Sequence, residues 1–155
     1  MQLGLHANVC DSATAHIVSA LHKPFAALSA ALSGEYGGPM EHLWIDLELV
    51  EHIARPVGKA KFPFRFQKRV SGRSHFGLPP TPDNFNVGHY SVRPDFQLLA
   101  SMSAEQAVPY VLALIYESVK QLSKKQLGGF DVALFRNNFR NECTRLGYEV
   151  ACDTF

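Results

Sequence analysis

The sequence predicts an α+β fold, an antiparallel or mixed sheet of about four to five strands packed against N- and C-terminal helices. Three observations predict it. Apolar residues alternate with polar ones at Leu3–Val9, Ile45–Leu49 and Phe62–Phe66, the period of a half-buried strand. Apolar residues at helical spacing fill 17–32 and most of the chain after Ser103. The order is strand and helix, then strands, then helices, where a doubly wound sheet would alternate the two types.

The elements can be taken in order. Leu3, Leu5, Ala7 and Val9 form one face of a first strand, and Asp11 or Ser12 is placed to cap the helix that follows. That helix carries Ile17, Leu21, Phe25, Leu28 and Leu32 on its buried stripe, with Pro24 expected to kink or split it and Gly34 to end it. The clearest strand lies between Glu41 and Glu51, with Ile45, Leu47 and Leu49 inward and Trp44, Asp46 and Glu48 on the other side. Phe62, Phe64 and Phe66 give the next strand an aromatic inner face, and Pro63 favours an edge. Residues 71–84 read as a Gly/Pro/Ser/Asn loop. A strand over Phe85–Arg93 changes phase near Gly88, which a bulge there would reconcile.

Ser103 and Gln106 have capping-box spacing, and Pro109 marks the first turn of the main helical segment. Its stripe is Val108, Val111, Leu112, Ile115, Val119 and Leu122, stopped by Gly128 and Gly129. Asp131 caps a last helix that buries Phe135, Phe139, Cys143 and Leu146 and ends at Gly147, with Tyr148–Cys152 returning as a short strand.

The totals exclude several function classes. A chain of 155 residues without repeat or linker has the size of one domain. A net charge of +1 argues against a dedicated nucleic-acid or membrane-surface protein. Cys10, Cys143 and Cys152 are odd in number and lack a CxxC pair, so reduced thiols are expected. No signal-peptide pattern opens the chain and no apolar run reaches bilayer length, so a cytoplasmic protein is expected. The seven histidines show no HxH, HExxH or Cys-His ladder, so neither a metal nor another cofactor is expected. No GxSxG, Walker A or dinucleotide glycine pattern occurs, and no catalytic residue is assigned.

What stands out is charge segregation. Glu35, Glu41, Asp46, Glu48 and Glu51 form an acidic block free of Lys and Arg. Arg55, Lys59, Lys61, Arg65, Lys68, Arg69 and Arg73 form a basic block free of acids. If the two strands pair as a hairpin-like unit, Asp46 and Glu48 face Arg65 and Arg69 across the sheet, where exposed pairs contribute about 0–1 kcal/mol each. Alternatively the charged face is aimed at a partner. The Ser71–Asp95 segment adds Arg73, His75, His89, Tyr90, Arg93 and Asp95, with local Arg93–Asp95 pairing around Pro94 as its plain structural account.

The runs GGPMEHLWIDLELVE, FPFRFQKRVSGR and NVGHYSVRPDF, in the middle third of the chain, resemble bacterial immunity proteins of polymorphic toxin systems. The resemblance implies a stoichiometric inhibitor that binds a cognate toxin domain and occludes its active site, without enzymatic activity of its own. The partner-binding residues expected are Trp44, Asp46, Glu48, Arg65, Arg69, Arg73, His75, Tyr90 and Arg93, with Trp44, Tyr90 or His75 as an inserted anchor. Such proteins are often strongly acidic, and this chain is not. The alternative is a small hydrolase or transferase using His75, His89 and Asp95 as acid–base groups; a homo-oligomer extending a sheet across an interface ranks third.

Overall fold

The computed structural model describes residues 1–49, 64–70, 85–120 and 129–150, of which 8–10, 64–70, 85–87 and 90 are described by backbone alone. The elements in chain order are β1 (Gln2–Cys10), α1 (Ala15–Leu32), β2 (His42–Leu49), β3 (Phe64–Val70), β4 (Phe85–Val92), α2 (Phe96–Ala100), α3 (Ala104–Val119) and α4 (Val132–Arg145). The fold is α+β.

The strand order is β1-β2-β4-β3. β1, β2 and β4 run parallel to one another, and the edge strand β3 alone is antiparallel, to β4. The sheet is therefore mostly parallel, a correction to the antiparallel or mixed arrangement expected. The helical crossover α1 returns the chain so that β2 starts at the same end as β1. β4 then lies between β2 and β3, so the expected hairpin-like pairing of β2 with β3 is absent and Asp46 and Glu48 are not cross-strand register neighbours of Arg65 and Arg69.

The bulge expected at Gly88 is also corrected. β4 keeps continuous register with β2 from Val87 to Val92. Register shifts instead fall in β1 between His6 and Val9, and in β3 between Gln67 and Val70. In each case three positions of one strand span two of its neighbour, as an extra residue requires.

α1 runs unbroken from Ala15 to Leu32 with Pro24 buried inside it, so Pro24 does not split it. Its N-cap is Thr14, not Asp11 or Ser12, and no side chain caps it. The Thr14 hydroxyl instead donates to the Leu49 carbonyl at 2.9 Å, tying the start of α1 to the end of β2. The capping box at Ser103 and Gln106 is formed as its spacing predicts. Pro109, however, lies in the interior of α3, beyond the first turn where it was expected. A short helix, α2, was not foreseen; Asp95 caps it by accepting from Leu98 N at 3.1 Å.

Asp131 caps α4 by accepting from Leu134 N at 2.9 Å. Gly147 follows α4 with φ +90°, a conformation that side chains resist. Residues 148–150 form no strand, and the rest of that expected strand lies outside the described residues, as do Leu122 and Gly128 of the expected α3 stripe and its stop.

The helices pack on one face of the sheet, α1 against β1 and α3 against β4, with α1, α3 and α4 in mutual contact. That face buries Leu3, Leu5, Leu43, Ile45, Leu47, Leu49 and Val92 against Ile17, Leu21, Leu28, Val111, Leu112, Ile115 and Phe135. Fully burying one such side chain stabilises by about 1.5–3 kcal/mol. Tyr36, Phe130, Phe135 and Phe139 form an aromatic cluster with centroids 5.3–6.3 Å apart. Arg136 joins α4 to α3 by donating to the Tyr116 carbonyl and to Glu117, each at 3.0 Å, while its guanidinium lies 3.9 Å from the Tyr116 ring centroid. Among the described residues, no helix is long and apolar enough to cross a membrane.

Candidate functional site

Strand alternation that buries Leu43, Ile45, Leu47 and Leu49 under the helices turns His42, Trp44, Asp46 and Glu48 to the opposite face. Parallel register brings His6 of β1 beside Asp46, and His89 of β4 beside Trp44. The face of β1, β2 and β4 that is helix-free among the described residues is thus a continuous set of rings and charges.

At its centre the His6 ring stacks on Trp44 with centroids 5.2 Å apart and planes 20° apart, and His42 lies 6.3 Å from the same indole. Gly4 makes room for the stack. A Cβ there would stand 2.7 Å from His6 Nε2. His6 Nε2 is buried and has no hydrogen-bond partner among the described residues. Trp44 is only 7% exposed.

An imidazole–carboxylate contact and an ion pair flank this stack. His89 Nε2 lies 2.5 Å from Asp46 Oδ2, with the side chains 19% and 30% exposed respectively. Arg93 Nε lies 2.5 Å from Glu48 Oε2, with the side chains 39% and 22% exposed. The Asp46–His89 pair runs diagonally between β2 and β4, whereas Glu48–Arg93 continues the register one step past Leu47 and Val92. Directly opposite neighbours in this register would be Trp44 with His89 and Asp46 with Ser91. Water reaches all four groups, so each pair adds little stability, about 0–1 kcal/mol. Their consequence is positional: two carboxylates, an imidazole and a guanidinium are held on strands rather than on loops.

Several sequence expectations change here. Trp44, expected to project as an anchor, is a buried floor packed by His6 and His42. Arg93 pairs with Glu48, not with Asp95, which is occupied in capping α2. Arg65 is the register partner of His89 on β3. Arg69 lies on β3 and Tyr90 on β4, beside Ile45 and Phe64 in register; the side chains of Arg65, Arg69 and Tyr90 are outside the description. Arg73 and His75 lie outside the described residues altogether. Asp46, Glu48, Arg93 and His89 are brought together; Asp95 is not part of the group.

Comparison with family models, with curated proteins and with solved structures found no match.

Sequence reasoning missed His6. Its signal was Gly4, since a lone glycine inside a strand often marks close approach of another group. Burial depresses the His42 pKa, against an opposing influence from Glu41. The imidazole facing Trp44 is thereby biased toward its neutral form. Away from this face, burial raises the Tyr110 pKa, with a further contribution from Asp95. Burial likewise pushes the Cys143 thiol up to about 12, helped by Glu142. Cys143 is thus a core residue, as its place on the apolar stripe predicts.

Proposed function

We propose that this chain is an immunity protein that binds a cognate bacterial toxin domain and neutralises it by occluding its active site, docking through the helix-free face of the sheet. The observation that carries the reading is the polar constellation Asp46–His89 and Glu48–Arg93 set on adjacent strands around the Trp44 floor. Charges fixed on a rigid sheet can orient an approaching partner without losing much side-chain freedom on contact. The segments carrying the resemblance to immunity proteins include β2, β3 and β4, three of the sheet's four strands. Glu48 and Arg93 retain enough exposure to exchange their mutual contact for contacts with a partner.

The test is co-expression with the toxin domain encoded beside this protein, scored by growth, together with direct titration of the purified pair. Protection by the wild type and its loss in the D46K/E48K variant, with tight one-to-one binding weakened in step, is the expected result. Protection that survives both charge reversals would move the docking surface elsewhere. Failure of the wild type to bind or protect would remove the immunity reading.

A second reading, a small hydrolase or transferase, draws on the same Asp46–His89 contact, because a carboxylate that orients an imidazole is a common acid–base arrangement. Asp95 is occupied in capping α2 and takes no part in this contact, and His75 lies outside the described residues. Turnover of ester or phosphoester probes that disappears in H89A would favour it.

A further inference from the structure

β1 is an edge strand of the described sheet, nine residues long, with neither a charged residue nor a proline. Edge strands usually carry one of these, because an uncharged edge is a template for pairing with another chain. The β1 edge has a different device. Leu3 N donates to Ser33 Oγ and Leu5 N donates to Ser29 Oγ, each at 3.0 Å. Gly34 N donates to the Met1 carbonyl at 2.9 Å, continuing the same seam. The Ser33 hydroxyl in turn donates to the Ser29 carbonyl at 2.8 Å, which fixes its direction.

The spacing explains why a helix can serve a strand in this way. Four helical residues rise about 6 Å, and two strand residues advance about 6.6 Å. Hydroxyls at positions 29 and 33 therefore meet alternate amides of β1. The preceding helical position in the series is Phe25, which has no hydroxyl, and the ladder stops there. Beside the clamp, Gln2–Ala7 line a groove of about 440 Å³ together with Phe25, Ala26 and Trp44, so space adjoins the strand that the serines guard.

We propose that Ser29 and Ser33 form a clamp that closes the β1 edge to a second copy of this chain, and that loss of both hydroxyls opens the edge to antiparallel pairing of β1 with β1 of that copy. A second copy fits because two identical uncharged strands meet across a twofold axis without opposing like charges. Centred on Leu5, such pairing would offer partner carbonyls to the amides that the serines now satisfy.

The experiment compares wild type with S29A/S33A by sedimentation velocity over a concentration series and by amide exchange at low concentration. Leu3 and Leu5 amides are expected to exchange at least ten-fold faster in the variant. The variant should also form dimers at concentrations where wild type shows no such step, while S29T/S33T, which keeps both hydroxyls, behaves as wild type. A folded S29A/S33A protein with the wild-type sedimentation profile would overturn the proposal, as would unchanged exchange at both amides. If the double variant does not fold, the single variants are read by the same criteria, S33A at Leu3 and S29A at Leu5. Toxin binding is not used in this comparison, so its outcome is independent of the proposed function.

Discussion

Gly4 and His6 act as a pair, because the missing side chain of one is the space occupied by the imidazole of the other. In a G4A variant the His6 ring should swing off the indole, at a cost of about 1 kcal/mol. Trp44 is the sole tryptophan, so its fluorescence reports the change directly. A shifted emission spectrum is expected, and an unaltered one would count against the stack. Cys143 gives a second residue-scale prediction. Its thiol keeps its proton up to about pH 12 in the folded protein, against 9.0 for an unburied thiol. The unfolded chain therefore releases this proton first, and the contribution of Cys143 to stability falls as pH rises from about 9 toward 12. In a C10S/C152S variant the remaining thiol should react with a disulfide reagent only after denaturant is added. Rapid labelling of the native protein would contradict its burial.

The local signals that were read correctly share a feature: partner and signal lie within a few residues. Ser103 with Gln106 and Asp131 with Leu134 are bonds across three positions. Replacing Ser103 by alanine should lower stability by about 1 kcal/mol, measured by urea unfolding. A similar loss is expected for D131A, because both caps satisfy amides at the start of helices that cover the core. Elements whose ends are fixed from afar were misread. The start of α1 is held by Thr14 on the Leu49 carbonyl, 35 residues away, and no nearby acid or serine takes the N-cap role. Pro24 lacks the amide needed for a helical bond, yet α1 continues through it because its apolar stripe is buried on both sides of that position.

The whole molecule rests on one set of helices packed on one side of the sheet. Phe135 is fully buried among Tyr36, Phe130 and Phe139, and F135A should cost about 3–5 kcal/mol in chemical denaturation. That loss is comparable with much of the stability of a small domain. The opposite side of the sheet, which carries no helix among the described residues, behaves differently. Exchanging the partners in E48R/R93E preserves opposite charges between the strands while reversing their pattern. Its folding stability should remain within about 0.5 kcal/mol of wild type. Binding of the proposed toxin partner should weaken at least ten-fold, about 1.4 kcal/mol. Equal affinity in titration would separate this pair from the docking surface.

The sequence by itself determined the α+β class, the alternation that faces β2 toward a core, the stripes of α1, α3 and α4, and the caps at Ser103 and Asp131. These depend on period and short-range hydrogen bonding, which are written in neighbouring residues. Only the tertiary structure decided that β4 lies between β2 and β3, that Asp46 meets His89 and Glu48 meets Arg93, and that Trp44 is a floor rather than an anchor. Strand order has no local signature, since any strand with one apolar face satisfies the same core. The acidic and basic blocks look complementary along the chain, but charges pair with whatever the register sets within a few ångströms. Here that register belongs to β4.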